Sequence, residues 1–138
     1  MGIDNLRILV GSDGKRGVKT KVEPTLQEAP GVYNDTILAG LDYLLMEMGK
    51  RKMLAVLYLN NSWEWSGGYG YYLEQAGLGQ APRPNEDGYP AFMNFVAKYA
   101  SCEKAHQLFY DYVKFILTRT NRYTKKKYKD DRLSCHGR

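Results

Sequence analysis

The unbroken apolar run Met53-Leu54-Ala55-Val56-Leu57-Tyr58-Leu59 restricts the folds open to this chain more than any other segment. A half-exposed strand alternates polar with apolar residues. A run without alternation reads as a strand covered on both faces, as in a parallel sheet flanked by helices. Leu6-Arg7-Ile8-Leu9-Val10 is a second strongly apolar strand, stopped by Gly11. Between the two, after Asn34 or Asp35 as a helix cap, apolar residues recur at Ile37, Leu41, Leu44, Leu45 and Met48 with helical period. Gly49 is expected to stop that helix, with Lys50 and Arg51 beside its negative end. Strand, helix, strand predicts a βαβ unit with a right-handed crossover, and so an α/β fold.

Residues 11–32 read as a long loop, and Asn60 to Asp87 as loop and short helix. A helix resumes near Pro90, which suits a first turn, with Phe92, Phe95, Val96 and Tyr99 on one side. After a break at Ser101, Ala105, Leu108, Phe109, Tyr112, Phe115 and Ile116 form one helical stripe. No repeat or low-complexity segment is visible. The 138 residues suffice for one modest domain, yet two parallel strands leave two open edges and bury too little to stand alone. The fold asks for more strands than the sequence supplies.

Net charge is +5, and Arg119, Arg122, Lys125, Lys126, Lys127 and Lys129 concentrate it late in the chain. A nucleic-acid surface places such charge on a helix face or between stacking aromatics. Here it falls in a turn-like segment and reads as a solvated connector, so no nucleic-acid partner is expected. No apolar run reaches the length of about 18 residues that spans a membrane, and no signal peptide opens the chain. Cys102 and Cys135 match no metal motif and define no disulfide framework. His106 and His136 lack ligand spacing and read as surface residues. Met46 and Met48 belong to the first helix rather than to a ligand pair. With 12 tyrosines, composition leans towards extracellular glycan-binding proteins.

Chemistry is concentrated where the second strand ends, at Asn60-Asn61-Ser62-Trp63-Glu64-Trp65-Ser66-Gly67-Gly68. Parallel α/β folds meet ligands at the carboxyl ends of their strands. Two indoles and two carboxamides there suit a sugar, which offers hydroxyls at its rim and C–H faces above and below. The competing reading is a tight turn whose tryptophans pack the rim of the core. Glu64 reads as a solvated loop carboxylate, because glycosidase chemistry needs two carboxyls, about 5–5.5 Å apart for retention. Arg7 interrupts an apolar strand and calls for an acidic partner. It either orients a catalytic carboxylate or makes a structural ion pair at the strand end, and both readings stay open. Gly11-Ser12-Asp13-Gly14-Lys15-Arg16-Gly17 has the wrong spacing for a phosphate loop and reads as a flexible loop.

Asn5-Leu6-Arg7-Ile8-Leu9-Val10, Gly11-Ser12-Asp13-Gly14, the stretch from Leu59 to Tyr69 and Arg119-Thr120-Asn121-Arg122-Tyr123 together resemble the endo-β-1,4-mannanases of glycoside hydrolase family 5. The resemblance extends from Gly2 to Asp131. It implies a partial (β/α)8 TIM barrel, comprising about strands 2 and 3 with their helices over residues 1–131. It implies a β-mannan or related plant polysaccharide as substrate, a retaining mechanism, no cofactor, no metal, and a parent that is secreted or at the cell surface. It also implies that Arg7 is the strand-end arginine near the nucleophile and that Asn60 to Tyr69 line the mannan cleft. The expected substrate contacts are therefore Arg7, Asn60, Asn61, Trp63, Trp65 and Tyr69, with no catalytic residue in this chain. The family's two catalytic glutamates follow its fourth and seventh strands, so the chain alone is expected to be inactive. A small non-catalytic carbohydrate-binding protein is the alternative, and a basic nucleic-acid binder using Lys125 to Lys129 ranks lowest. Residues 132–138 depart from the family pattern. One permitted codon choice, with a single C restored after the codon for Asp131, reads Pro-Pro-Val-Met-Ser-Trp-Gln, so a frameshifted tail is expected there.

Overall fold

A computed structural model of the chain describes residues 2–18 and 21–131. The expected out-of-frame tail at 132–138, with Cys135 and His136, lies outside the described residues. The chain runs β1 (Asn5–Leu9), β2 (Gln27–Ala29), β3 (Val32–Tyr33), α1 (Asp35–Lys50), β4 (Leu54–Tyr58), α2 (Gly68–Gln75), α3 (Pro84–Asp87), α4 (Tyr89–Val96) and α5 (Glu103–Thr118). Short 3-10 turns occupy Glu64–Ser66, Ala97–Ser101 and Tyr128–Asp130. β1 and β4 pair in parallel, from Asn5 opposite Leu54 to Leu9 opposite Tyr58, and α1 connects them. The fold is α/β, built on the expected strand–helix–strand unit.

Local chemistry sets the limits of α1. The Asn34 carboxamide oxygen accepts from the Thr36 and Ile37 amides at 3.1 and 3.4 Å, satisfying donors that the first turn cannot. Gly49 does not end the helix, which runs on to Lys50. Lys52 takes the left-handed conformation instead, at φ 55°. Its amide donates to Gly49 and that of Met53 to Met48, both at 3.0 Å. This is a Schellman closure, and it places Met53 over Met48 as the chain turns into β4.

Among the described residues, helices pack on one face of the sheet only, not on both as the apolar runs suggest. Leu6, Ile8 and Val10 from the β1 side, with Ala55, Leu57 and Leu59 from the β4 side, pack with Leu38, Leu45 and Met48 of α1 and Tyr112 and Ile116 of α5. The Tyr112 hydroxyl donates to the Val10 carbonyl, fastening α5 to the end of β1. The opposite face carries Asn5, Arg7, Leu9, Leu54, Val56 and Tyr58. Among the described residues no helix covers it, and Leu54 is left 37% exposed. A second core lies between α2, α4 and α5, around Tyr71, Tyr72, Leu73, Phe95 and Ala105.

Two segments read as open are anchored. The loop after β1 includes the antiparallel β2–β3 hairpin, and Ser12 and Asp13 are both only 4% exposed. Backbone bonds Asp13 N–H to Ser66 (2.9 Å), Gly14 N–H to Gln27 (2.8 Å) and Leu26 N–H to Ser12 (2.8 Å) fix it in place. The basic segment after α5 is solvated at its lysines and at Arg122, while Arg119 and Tyr128 are held against α1. The Arg119 guanidinium grips Asp42 of α1 through both carboxylate oxygens, at 3.1 and 2.7 Å. Tyr128 donates its hydroxyl to the same carboxylate, and Arg122 reaches Asp35 at 3.0 Å. Asp42 is fully buried. Burial pushes its carboxyl up, but the hydrogen bonds from Arg119, Tyr128 and the Arg122 backbone together hold it below the usual range.

Candidate functional site

The loop that follows β4 builds itself from short polar side chains. The Asn60 carboxamide oxygen accepts from the Ser62 amide at 2.8 Å, and that of Asn61 from the Trp63 amide at 3.1 Å. These Asx turns fold the chain back at once. The Asn61 oxygen also accepts the Ser66 hydroxyl. Gly67 and Gly68, at φ 92° and 55°, then turn the chain into α2. A Cβ on Gly67 would stand 2.6 Å from both Cβ and O of Asp13, so only glycine permits this approach. The Val22 amide donates to the Trp65 carbonyl at 2.8 Å, giving the loop a second tie to the segment after β1.

This architecture turns the two carboxamide oxygens inward and the two indoles outward. Trp63 and Trp65 are 46% and 37% exposed. More than half of each tryptophan is nonetheless covered, Trp63 in part by Tyr89. Asn60 keeps a buried Nδ2 without a hydrogen-bond partner among the described residues. Tyr69 sits apart from the indoles, half-buried on α2 with its ring 4.3 Å from that of Tyr99. His106 lies edge-on to Tyr99 at 4.7 Å and is half-buried rather than on the open surface. Arg7 is exposed, its guanidinium 4.7 Å from the centre of the Tyr58 ring. Among the described residues it has no carboxylate partner, so neither ion-pair reading of Arg7 is realised within them.

Four further residues join the site that sequence reasoning did not select. Tyr89, at the start of α4, meets Trp63 edge-on at 6.1 Å and extends its aromatic surface. Asp13 accepts from the Gln27 carboxamide at 3.2 Å and the Tyr72 hydroxyl at 3.4 Å. Burial pushes its carboxyl up to about 7, against the pull of these hydrogen bonds and of Lys21. Glu64 is not simply solvated. The 3-10 turn rotates it inward, and its Oε2 is buried without a partner among the described residues. It lines a cleft of about 430 Å³ between the segment after β1, α2 and the chain leading into α3. Tyr71 lines the same cleft with a hydroxyl that is also buried and unpartnered. The only linear signals were the buried-strand terminus before Glu64 and the Asp13–Gly14 pair. Trp63 and Trp65 do not line this cleft, which lies behind their loop.

Among the described residues, no group of His, Cys, Asp or Glu is placed to hold a metal ion, and no helix is long and apolar enough to cross a membrane.

Residues 1–134 match the glycoside hydrolase family 5 β-mannosidase-like family. Mannan endo-1,4-beta-mannosidase 4 of Solanum lycopersicum is 35% identical over 106 residues, covering 77% of this chain and 24% of that protein. Mannan endo-1,4-beta-mannosidase 1 of Arabidopsis thaliana is 34% identical over the same share of this chain and 22% of its own length. Among solved structures, the glycoside hydrolase family 5 mannosidase from Rhizomucor miehei superposes with a TM-score of 0.85 at 35% identity. A mutant form of it in complex with mannosyl-fructose gives 0.87 at 36% identity. Both alignments cover 94% of this chain and 33% of the solved one. The endo-1,4-beta-mannanase from Rhizomucor miehei, at 22% identity and a TM-score of 0.71, shares the fold. The chain thus spans about a quarter of the curated relatives, 24% of the tomato protein, and about a third of the solved ones. On the match over residues 1–134, this chain belongs to the β-mannosidase-like proteins of glycoside hydrolase family 5.

Proposed function

We propose that residues 1–131 form an arc of a (β/α)8 barrel, its second and third strands with their helices, and supply one wall of the mannan groove of a retaining endo-β-1,4-mannanase. One observation carries this reading. The loop at the carboxyl end of β4 holds Trp63 and Trp65 outward, 46% and 37% exposed, by folding its own carboxamide oxygens inward. Exposed indoles on a rigid loop present flat apolar faces to the C–H surface of a pyranose. Asn60 contributes an unpartnered Nδ2 to a hydroxyl, Asn61 shapes the turn, and Tyr69 supports α2 behind it. Arg7, on the uncovered sheet face and free of a carboxylate among the described residues, is available to a nucleophile carried by other strands. The substrate is β-mannan, attacked by one glutamate while another protonates the leaving oxygen. Neither glutamate is assigned to this chain.

The chain by itself is therefore expected to bind mannan and not to cleave it. Trp63 and Trp65 are its only tryptophans, so quenching of their fluorescence by mannohexaose reads this surface alone. Replacing one of them (Trp63→Ala) is expected to weaken binding about tenfold, in line with loss of a large buried apolar contact. Reducing sugar released from mannan by the purified chain, and lost in Glu64→Gln, would overturn the assignment. Binding without hydrolysis also fits a small carbohydrate-binding protein. A cooperative thermal transition of the isolated chain, raised by mannan, favours that second reading.

A further inference from the structure

The cleft behind the tryptophan loop has features of a built site. Its volume of about 430 Å³ lies within the range of about 300–1,000 Å³ usual for small-molecule pockets. The wall formed by the chain leading into α3 is held in place, because the Glu74 carboxylate accepts from the Ala81 amide at 2.8 Å. Gly70 lets that wall close on α2, since a Cβ there would stand 3.0 Å from the Ala81 side chain. Two polar atoms in the lining, Glu64 Oε2 and the Tyr71 hydroxyl, are buried without partners among the described residues. Tyr71 itself is only 1% exposed. Buried polar groups left unpaired are costly, and two of them in the wall of one cleft point to an occupant.

The chemistry of the lining narrows what that occupant is. Lys15, Lys21 and Arg83 border the cleft and invite an anion, but the Glu64 and Glu74 carboxylates repel one. A cation would suit Glu64 and meet three positive charges. A neutral hydroxyl-bearing molecule satisfies both, donating to Glu64 and accepting from Tyr71 or a lysine, with Phe92 and Pro82 as apolar contact. We infer that this cleft is a second carbohydrate-binding site, separate from the Trp63–Trp65 surface, that takes a pyranose unit through Glu64 and Tyr71. The polyol chemistry stands on the cleft itself, while the choice of a mannose unit rests on the reading of the tryptophan surface.

The test is a calorimetric titration of the full 138-residue chain with β-1,4-mannobiose, run beside tryptophan fluorescence. Tyr71→Phe removes only the hydroxyl, and Glu64→Gln only the charge. Each is expected to weaken the calorimetric event, Tyr71→Phe by about tenfold, the scale of one hydrogen bond, and Tyr71→Phe is expected to leave the fluorescence response unchanged. If the heat depends on Tyr71 but fluorescence never responds, the cleft site stands and the tryptophan groove fails. Absence of binding heat, heats equal in wild type and both variants, or heat and fluorescence lost together in both variants would each overturn the cleft site. Should either variant lose its thermal transition, co-crystals of the wild-type chain with mannobiose decide. Sugar density against Tyr71 supports the site, and water alone in that position overturns it.

Discussion

Asp13 shows how one residue can join two distant segments. Its backbone amide binds Ser66 at 2.9 Å, its carboxylate is bound by Gln27 and Tyr72, and Gly67 presses against its Cβ. Its carboxyl is raised from 3.8 to about 7, so the folded chain holds a proton that the unfolded chain has released between those two values. Stability therefore falls as pH rises from about 4 to 7, by up to about 1.4 kcal/mol per pH unit for this group. Asp13→Asn does not titrate and is expected to flatten that slope, which urea midpoints at pH 5 and pH 8 would report. A slope unchanged in the variant would remove Asp13 as its source. The sequence placed the tryptophans in a polar loop after an apolar strand, a setting that left both an outward sugar surface and packing at the rim of the core open. The burial of Asp13 was not readable from the sequence, since it depends on Gln27, Ser66 and Tyr72, and the last two are more than fifty residues away.

At the scale of elements, α1 follows its sequence closely at one end and departs from it at the other. The N-cap is local and was legible to within one residue, Asn34 or Asp35, of which the structure uses Asn34. The C-terminal end was assigned to Gly49 because glycine is the usual residue there, yet Lys52 takes the left-handed position to bring Met53 into β4. The Arg119–Tyr128 segment departs further. Charge density suggested solvent, and the partner that buries part of it, Asp42, sits on α1 and reads in sequence as one polar residue within an apolar stripe. Removing one side of a buried ion pair costs about 3–5 kcal/mol, so Asp42→Asn is expected to destabilise the chain on that scale. Lys127→Ala, at an exposed lysine, should stay within about 0.5 kcal/mol of wild type. Equal urea midpoints for the two variants would show that the Asp42 cluster does not hold the segment to α1.

For the molecule as a whole, the parallel pairing of β1 with β4 was legible from the two apolar runs and the helix between them. The coverage of the sheet was not. A run without alternation fits burial on both faces, and the helices among the described residues cover only one. The other face presents Leu9, Leu54, Val56 and Tyr58, an apolar strip of the kind that drives association. Among the described residues of β1 and β4, Arg7 is the only charged side chain on that face. Arg7→Leu is expected to tighten self-association about tenfold, and Val56→Lys to weaken it, both measured by sedimentation at several concentrations. Equal sedimentation of all three proteins would exclude this face as a contact. The lean of Arg7 over Tyr58 thus has a consequence beyond any glycan chemistry. The Arg7→Leu measurement therefore tests whether a guanidinium lying over a half-buried aromatic ring acts as an aggregation gatekeeper for this sheet face.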